Sequence, residues 1–204
     1  MKLLHIDSSI LGDQSVSRAV SAAIVQRFVT ADPNVQVVTR DLASEPLSHL
    51  SGAYLAGRSA EVKHDQAMQD DVALGGKILD EFLAADLVVI GAPMYNFTIS
   101  SHLKAWVDRV LVAGKTFRYT DHGAEGLAGG KRVIVAIARG GIYSAGSPHA
   151  SAEHAETYLG TVFGFIGIRD LEFVVAEGLA LGPEKRDASR SGAIARASAL
   201  PTAA

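Results

Sequence analysis

The stretch Leu87-Val88-Val89-Ile90-Gly91-Ala92-Pro93-Met94-Tyr95-Asn96-Phe97 decides the fold of this chain. Its first four residues form an unbroken aliphatic run, which is typical of a strand that is covered on both faces. The run stops at Gly91-Ala92-Pro93, where proline lacks a backbone donor and ends strand pairing. We therefore predict a central strand over Leu87 to Ile90, followed by a loop of apolar and aromatic side chains.

Outward from this strand, strand-like and helix-like segments alternate. Further strands are predicted at Leu3 to Asp7, Val35 to Thr39, Val133 to Ala138 and Leu171 to Val175. Helical spacing occurs in Val16 to Phe28, Asp65 to Leu83, Leu103 to Leu111, Ser151 to Phe163 and from Pro183 into an Ala-rich tail, which we expect to fray. Such alternation favours a parallel sheet with right-handed crossovers. We predict an α/β fold, a doubly wound five-stranded parallel sheet with helices on both faces, in a single domain over residues 1–204.

Composition excludes several classes of function. The 204 residues are 48% hydrophobic and 20% charged, which suits one globular domain. A formal net charge of −3 gives no field that would draw nucleic acid to the whole molecule. Cysteine is absent, so disulfides, thiolate metal sites and a thiol nucleophile are excluded. We find neither a signal-peptide core nor a membrane-spanning run, and we expect a cytoplasmic protein with no membrane partner.

In a doubly wound sheet, ligands bind beyond the carboxyl ends of the strands, so the three loops that follow predicted strands are the candidate binding elements. The first loop, residues 8–17, carries Ser8, Ser9, Ser15 and Ser17, and it leads into a helix N-terminus. Free amides and hydroxyls there suit a phosphate. The alternative is that these serines only cap the helix and form a turn. The chain has neither a G-x-G-x-x-G nor a Walker A motif, which leaves a monophosphate as the predicted ligand.

The second loop, residues 92–100, places Met94, Tyr95 and Phe97 at a strand end, with Asn96 among them. A flat ring system would explain apolar side chains at such a place, and Asn96 could bond its polar edge. The alternative is that Met94 and Phe97 only plug the top of the sheet. The third loop, residues 139–143, begins Arg139-Gly140-Gly141, where paired glycines allow close backbone approach to a ligand. An ordinary glycine turn is the alternative.

Other chemistry-bearing residues have simpler interpretations. His5 interrupts an apolar strand and is interpreted as a satisfied structural histidine. His149 and His154 lack the i,i+4 spacing of a helical zinc site, and we predict no metal. Glu153, Glu156 and Glu172 are interpreted as solvated surface charges.

Seven stretches of this chain resemble the FMN-dependent NADH azoreductase and NAD(P)H–quinone reductase family, a flavodoxin-like group, and they span nearly its whole length. They are Asp7-Ser8-Ser9-Ile10-Leu11, Ser15-Val16-Ser17, Ala92 to Phe97, Ala113 to Thr120, Arg139-Gly140-Gly141, Phe163 to Gly167 and Ala176-Glu177-Gly178. The combination of Met-Tyr-Asn-Phe with Thr-Phe-Arg-Tyr-Thr is the specific part.

The resemblance implies noncovalent FMN. The residues expected to hold its phosphate are Ser9, Ser15, Val16 and Ser17, and those expected to frame its ring are Met94, Tyr95, Asn96, Phe97, Ala138, Arg139, Gly140 and Gly141. Tyr119, Tyr143 and Phe163 match positions on the substrate side of the family's site. As sequence features, Tyr119 and Phe163 could equally be packing residues.

The resemblance also implies a reaction. NADH or NADPH would reduce the flavin by two-electron hydride transfer, and a quinone or azo acceptor would then use the same slot in a ping-pong sequence. No protein nucleophile is required. A homodimer with both active sites at the subunit interface is expected.

Two positions depart from the family pattern, and two other functions stay open. Ala138 stands where relatives often have a hydroxyl, so a flavin hydrogen bond would be missing or made by backbone. Tyr143 stands where histidine is common, which puts in doubt a role for that side chain as proton donor. The alternative function is a flavodoxin-like electron carrier without NAD(P)H turnover. A scaffold that binds no flavin is disfavoured, because three loops would then need separate explanations.

Overall fold

The computed structural model of the protein describes residues 1–58 and 65–202. The strands in this part of the chain are β1 (Lys2–Asp7), β2 (Gln36–Asp41), β3 (Leu87–Tyr95), β4 (Thr98–Ile99), β5 (Phe117–Thr120), β6 (Gly123–Gly126), β7 (Arg132–Ala138) and β8 (Asp170–Ala176). The α-helices there are α1 (Val16–Ala31), α2 (Gly52–Gly57), α3 (Gln66–Ala84), α4 (Ser101–Val110), α5 (Ala155–Phe165) and α6 (Pro183–Ser198). Single 3₁₀ turns lie at Gly12–Gln14 and Ala150–Ala152.

The central sheet of the described chain has the order β2-β1-β3-β7-β8, and every neighbouring pair in it is parallel. This is the strand order of the flavodoxin-like fold, in which strand order reverses between the first and third strands. The predicted five parallel strands and the doubly wound class are confirmed. The short β4 adds an antiparallel pair to the end of β3, and β5 and β6 form a separate hairpin. Neither feature was predicted.

Alternating side chains of the inner strands pack into two cores. In β3, Val88, Ile90 and Ala92 pack with α3, α4 and α5, whereas Leu87 and Val89 pack with α1 and α6. Strands with both faces buried have no polar face, which explains the continuous aliphatic runs in the sequence. Helices therefore cover both faces of the sheet, as predicted.

The C-terminal helix differs from the expectation. We expected the Ala-rich tail to fray, but α6 runs to Ser198, and Ala193, Ala197 and Leu200 are buried against the α1 side of the sheet. Small side chains allow close helix packing, so the alanines serve the core. The prediction of a frayed tail was wrong for the described residues, which end at Thr202. None of the helices in the described ranges has the length and apolar character needed to span a bilayer.

Candidate active site at the switch point

The three loops chosen from the sequence meet at one edge of the sheet. β1, β3 and β7 are parallel neighbours, so the loops that follow their carboxyl ends lie side by side. The first and second loops flank the point between β1 and β3 where the strand order reverses. Ligands of doubly wound sheets bind at this point.

The first loop is tied to β3 and to the second loop. Ser8 donates from both its amide and its hydroxyl to the Gly91 carbonyl, at 3.2 and 2.8 Å. The Ser9 hydroxyl lies 3.2 Å from the Tyr95 hydroxyl, and the Ile10 amide donates to the same Tyr95 oxygen at 3.3 Å. Ser9 and Tyr95, predicted separately as phosphate and ring residues, thus lie in contact.

The start of α1 has the features of an anion site. Ser15 is its N-cap and accepts from the Arg18 amide at 3.3 Å, while the Ser15 and Ser17 hydroxyls lie 3.0 Å apart. Val16 and Ser17 are buried. Amides in the first turn of a helix have no partner inside the helix, and they carry the positive end of its dipole. The capping role of Ser15 and a phosphate-binding role are compatible here.

The second loop contains a tight hairpin that the sequence did not reveal. Met94 pairs with Ile99 and Tyr95 with Thr98, which leaves Asn96 and Phe97 as the two turn residues. Their φ angles are 48° and 74°, and positive φ at both central positions is the type I′ pattern. Such a conformation is strained for phenylalanine, and strain of this kind concentrates at functional sites.

The hairpin presents Phe97 to solvent with 52% of its surface exposed, whereas Met94 packs partly into the core. Phe97 meets Tyr143 of the third loop edge to face, with ring centroids 6.3 Å apart. The Phe97 carbonyl accepts from the His154 amide at 3.1 Å, so the turn is also fixed to the segment before α5. Phe97 is therefore solvent-exposed at the sheet edge, and its ring and its backbone both have partners in neighbouring segments.

The backbone of the third loop points its carbonyls away from the first two loops. The carbonyls of Arg139, Gly140 and Gly141 accept from the amides of Leu179, Ala180 and Gly178, respectively. A trans peptide directs its N–H opposite to its C=O, so the amides of Gly140, Gly141 and Ile142 face away from residues 178–180. These amides therefore point away from the segment that pairs with the loop carbonyls, and their predicted role toward a ligand stays a prediction.

Gly141 also has a packing role. A Cβ at this position would lie 2.9 Å from the Tyr143 ring, which folds back over the loop. Ala138, the other position noted beside this loop, is 8% exposed and packs in the α1-side core. Its methyl group offers no hydrogen bond, so any contact from position 138 to a ligand comes from backbone.

The Arg139 side chain does not point into the site. It is 3% exposed and pairs with Glu156 at 2.6 Å and with Glu177 at 2.9 Å, while Glu153 lies 3.8 Å away. The interpretation of Glu153 and Glu156 as solvated charges was therefore wrong, because both surround a buried guanidinium. Glu172, by contrast, pairs with Arg132 at 3.0 Å near the surface. The backbone of Arg139 is also paired, because its amide donates to the Ala176 carbonyl and its carbonyl accepts from the Leu179 amide.

Glu177 organises the third loop, and sequence reasoning missed it. Its carboxylate accepts from the Tyr143 and Ser144 amides at 3.0 and 3.2 Å, from the Ser144 hydroxyl at 2.7 Å and from Arg139 at 3.0 Å. Burial opposes its ionisation, but these hydrogen bonds and the Arg139 charge together lower the pKa of Glu177. Burial raises the pKa of Glu156, and Arg139 only partly offsets that effect. The resemblance had marked the Glu177 stretch without assigning it a role.

A cavity of about 890 Å³ opens beside this glutamate cluster, between α5, α6 and β8. It is lined by Phe173 and Val175 of the edge strand and by Ser189 and Arg196 of α6, together with the Arg139 cluster. Because β8 lies two strands away from β3, this cavity is separate from the switch point. Tyr143 of the third loop lines it as well, so the cavity adjoins the site formed by the three loops.

The structure separates two of the predicted substrate-side residues. Tyr119 lies on the β5–β6 hairpin with 76% of its surface exposed, and its ring stands edge to face against Phe117 at 5.6 Å. Phe163 lies in α5 and is completely buried in the core. For Phe163 the structure therefore favours the packing alternative over the substrate side, because its ring has no exposed surface.

A buried polar network below the first loop was also missed. His5 lies 3.0 Å from the Ser21 hydroxyl, which donates to Asp7 at 2.9 Å. Burial lowers the pKa of His5, and Asp7 partly offsets the effect. The interpretation of His5 as a satisfied structural residue is confirmed. In the described ranges, no three or more histidine, aspartate and glutamate side chains are grouped as metal ligands.

This chain resembles a known family over nearly its whole length. The family model described as having the flavodoxin-like fold matches residues 1–200. The chain belongs to this family. It is 61% identical to an FMN-dependent NADH:quinone oxidoreductase of Methylorubrum extorquens strain PA1, over all of both chains.

Solved structures agree with this result. An azoreductase from Bacillus anthracis strain Sterne superposes with a TM-score of 0.88 at 33% identity, covering 98% of this chain and 97% of that one. An FMN-dependent NADH-azoreductase from B. anthracis strain Ames Ancestor, solved in complex with FMN, has a TM-score of 0.86 at 27% identity, with 98% and 99% covered. The predicted family is confirmed.

Proposed function

We propose that this protein is an FMN-dependent oxidoreductase that uses NADH to reduce quinones and azo compounds. One observation carries the proposal. The serine-rich start of α1 and the strained turn that exposes Phe97 flank the same switch point, in a chain whose relatives include a quinone oxidoreductase and azoreductases. This arrangement supports a site in which a phosphate end and a ring end lie side by side.

The residues present fit FMN on structural grounds. The phosphate end has two kinds of donor: the first-turn amides of α1 and the hydroxyls of Ser9, Ser15 and Ser17. We propose that Ser9, Ser15, Val16 and Ser17 hold the phosphate. A monoanion or dianion is stabilised there by the dipole of a 16-residue helix.

At the ring end, we propose that Met94, Tyr95, Asn96 and Phe97 frame one side of the flavin. The free amides of Gly140 and Gly141 would donate to its carbonyl edge, with the backbone of Ala138 and Arg139 beside them. When bound, FMN supplies the hydride exchange, because its ring accepts a hydride from a nicotinamide and passes it to an acceptor. The chain contributes orientation and hydrogen bonding, and no side chain is assigned as a catalytic acid, base or nucleophile.

Donor and acceptor would use one slot in turn. The exposed Phe97 ring, braced by Tyr143, gives a flat acceptor an aromatic surface to stack upon. Position 143 carries a phenol in place of an imidazole, and we propose that the acceptor takes its proton from solvent. A ping-pong sequence predicts parallel double-reciprocal plots when NADH and quinone are varied together.

We further propose a homodimer with the site at its interface. Ile10, Leu11 and Phe97 expose between 52% and 61% of their surface at the switch point. Tyr119 projects from a hairpin that is separate from the main sheet. A second copy would cover these apolar side chains and exclude water from the slot. Sedimentation of the wild type and of Tyr119→Ala tests the assembly.

NADH is proposed as the donor because two similar proteins are named as NADH-dependent enzymes. The rate of flavin reduction by NADPH provides the comparison. The cytoplasm is the proposed location, since the bacterial NADH pool is found there. Cell fractionation with an antibody against the full chain tests the location directly.

The deciding experiment follows bound FMN under anaerobic conditions. NADH is added to the purified protein loaded with FMN, and the visible flavin absorbance is recorded before and after a quinone is supplied. Bleaching by NADH and recovery with quinone supports the proposal. Bound FMN that NADH and NADPH leave unchanged would point instead to an electron carrier, and failure to bind FMN would reject both functions.

A further inference from the structure

Arg18 contacts the backbone of the first loop, where the phosphate is proposed to bind. Arg18, in the first turn of α1, donates from Nε and Nη2 to the Ser9 carbonyl at 3.2 and 2.8 Å. Its Nη2 also donates to Asp41 at the end of β2, at 2.6 Å. Its Nη1 lies 3.7 Å from Asp7 at the end of β1. One side chain thus connects the first loop with two strand ends.

The contact to Ser9 fixes the direction of a peptide group. Because a trans peptide holds its C=O and N–H on opposite sides, a Ser9 carbonyl held toward Arg18 turns the Ile10 amide the other way. The Ile10 amide accordingly reaches the Tyr95 hydroxyl at 3.3 Å, on the side of the loop where the Ser9 hydroxyl lies. Arg18 therefore determines which face of the first loop presents donors.

The same side chain neutralises two carboxylates. Asp7 is 7% exposed, and Asp41 receives its strongest hydrogen bond from Arg18, which lowers the pKa of Asp41. Without a cation, two negative charges would lie directly under the loop that is to bind a phosphate. Like charges at such short range disfavour an anionic ligand.

We propose that Arg18 is a positioning residue for the FMN phosphate. It acts without touching the phosphate: its paired N–H groups orient the Ser9–Ile10 peptide, and its charge offsets Asp7 and Asp41. This inference rests on the proposed function, because it assumes that the phosphate binds at the first loop. Arg18 should consequently determine the preference for FMN over riboflavin, which has the same ring and no phosphate.

The test compares two flavins on one protein. The full chain is freed of flavin by dialysis and titrated with FMN and, separately, with riboflavin, and flavin fluorescence reports the Kd of each. Arg18→Gln should weaken FMN binding by about tenfold, the effect of losing a charge-assisted hydrogen bond. Its Kd for riboflavin should stay unchanged. Arg18→Lys keeps the charge but lacks the two fixed N–H groups that donate together to the Ser9 carbonyl. Its loss of FMN affinity should therefore be intermediate.

Two controls make the result specific. Arg190→Gln removes the same charge from an exposed position on α6 and should leave both Kd values unchanged. Circular dichroism establishes that each variant is folded, and if Arg18→Gln does not fold, Arg18→Lys decides the question.

The outcomes separate the two claims. A selective loss of FMN affinity supports the role of Arg18. Equal losses for FMN and riboflavin, or no loss for either, overturn that role while the proposed function stands. A wild-type chain that binds no FMN overturns the proposed function, and the role of Arg18 with it.

Discussion

The first and third loops each depend on an arginine, half-buried in one case and buried in the other, and they use it in opposite ways. Below the first loop, Arg18 donates to a backbone carbonyl, and the carboxylates of Asp7 and Asp41 hold the arginine. Below the third loop, the Arg139 side chain pairs with Glu177. The Glu177 carboxylate in turn accepts a hydrogen bond from the Tyr143 amide of the loop. In the first loop a cation donates hydrogen bonds to a backbone carbonyl, and in the third loop an anion accepts hydrogen bonds from backbone amides.

This difference determines which amides remain for a ligand. In the first loop the carbonyl of Ser9 is held toward Arg18, so the amide of Ile10 points to the opposite side, where it contacts the Tyr95 hydroxyl. In the third loop the amides of Tyr143 and Ser144 are used by Glu177, and only those of Gly140, Gly141 and Ile142 stay available. An anion should bind at the first loop, and neutral carbonyl groups should bind at the third.

The largest effect is expected from Arg139→Met. Three glutamates would lose their buried cation, and breaking a buried ion pair from one side costs about 3–5 kcal/mol of unfolding free energy. Urea denaturation measures it. Arg118→Met, which breaks the exposed pair with Glu125, is the control and should not change stability measurably. Similar stabilities for the two variants would show that the Arg139 cluster does not hold the third loop.

Glu177→Gln should have the next largest effect. The amide side chain can still accept from one backbone N–H but loses the charge facing Arg139, at a cost of about 1–3 kcal/mol. Hydrogen exchange at the Tyr143 and Ser144 amides should rise. Glu172→Gln, beside Arg132 at the surface, provides the comparison, and unchanged exchange in Glu177→Gln would contradict the assigned role.

Gly141→Ala tests how tightly the third loop is packed. The new methyl group would meet the Tyr143 ring at 2.9 Å and displace it from Phe97, costing about 1 kcal/mol. Gly160→Ala, in open space on α5, should instead stabilise the protein by about 0.5–1 kcal/mol. The sign of the two changes in thermal unfolding is the measurement. Stabilisation by both would mean that Tyr143 is free to move.

The smallest effect concerns pH and the network below the first loop. Burial lowers the pKa of His5 in the folded protein below its ordinary value of 6.5, so the unfolded chain takes up a proton first as the pH falls. Stability contributed by neutral His5 is thus complete above pH 6.5 and declines below it until the folded-state pKa is passed. His5→Asn should flatten this part of the stability profile. An unchanged slope would assign the dependence to other groups.

Much of the site could be predicted from the sequence because it depends on strand ends. The aliphatic runs over Leu87 to Ile90 and over Val133 to Ala138 each predicted a strand that carries a site loop, since burial of both faces leaves a readable pattern, although β3 continues past Gly91 to Tyr95. For Phe163 the sequence left a substrate-side role and a packing role open, and burial in the core favours packing, since a core helix and a substrate wall both call for an aromatic residue. Local pattern alone does not distinguish them.

The sequence by itself determined the order of strands and helices, the doubly wound class and the edge at which the loops meet, because hydrophobic periodicity and turn residues act over a few positions. Only the tertiary structure decided that Arg18 grips Ser9, that Glu177 takes the amides of the third loop, and that Asn96 and Phe97 adopt positive φ. These contacts join residues on different elements. Their partners are chosen by how the strands are ordered in the sheet, and that information is absent from any single stretch of the chain.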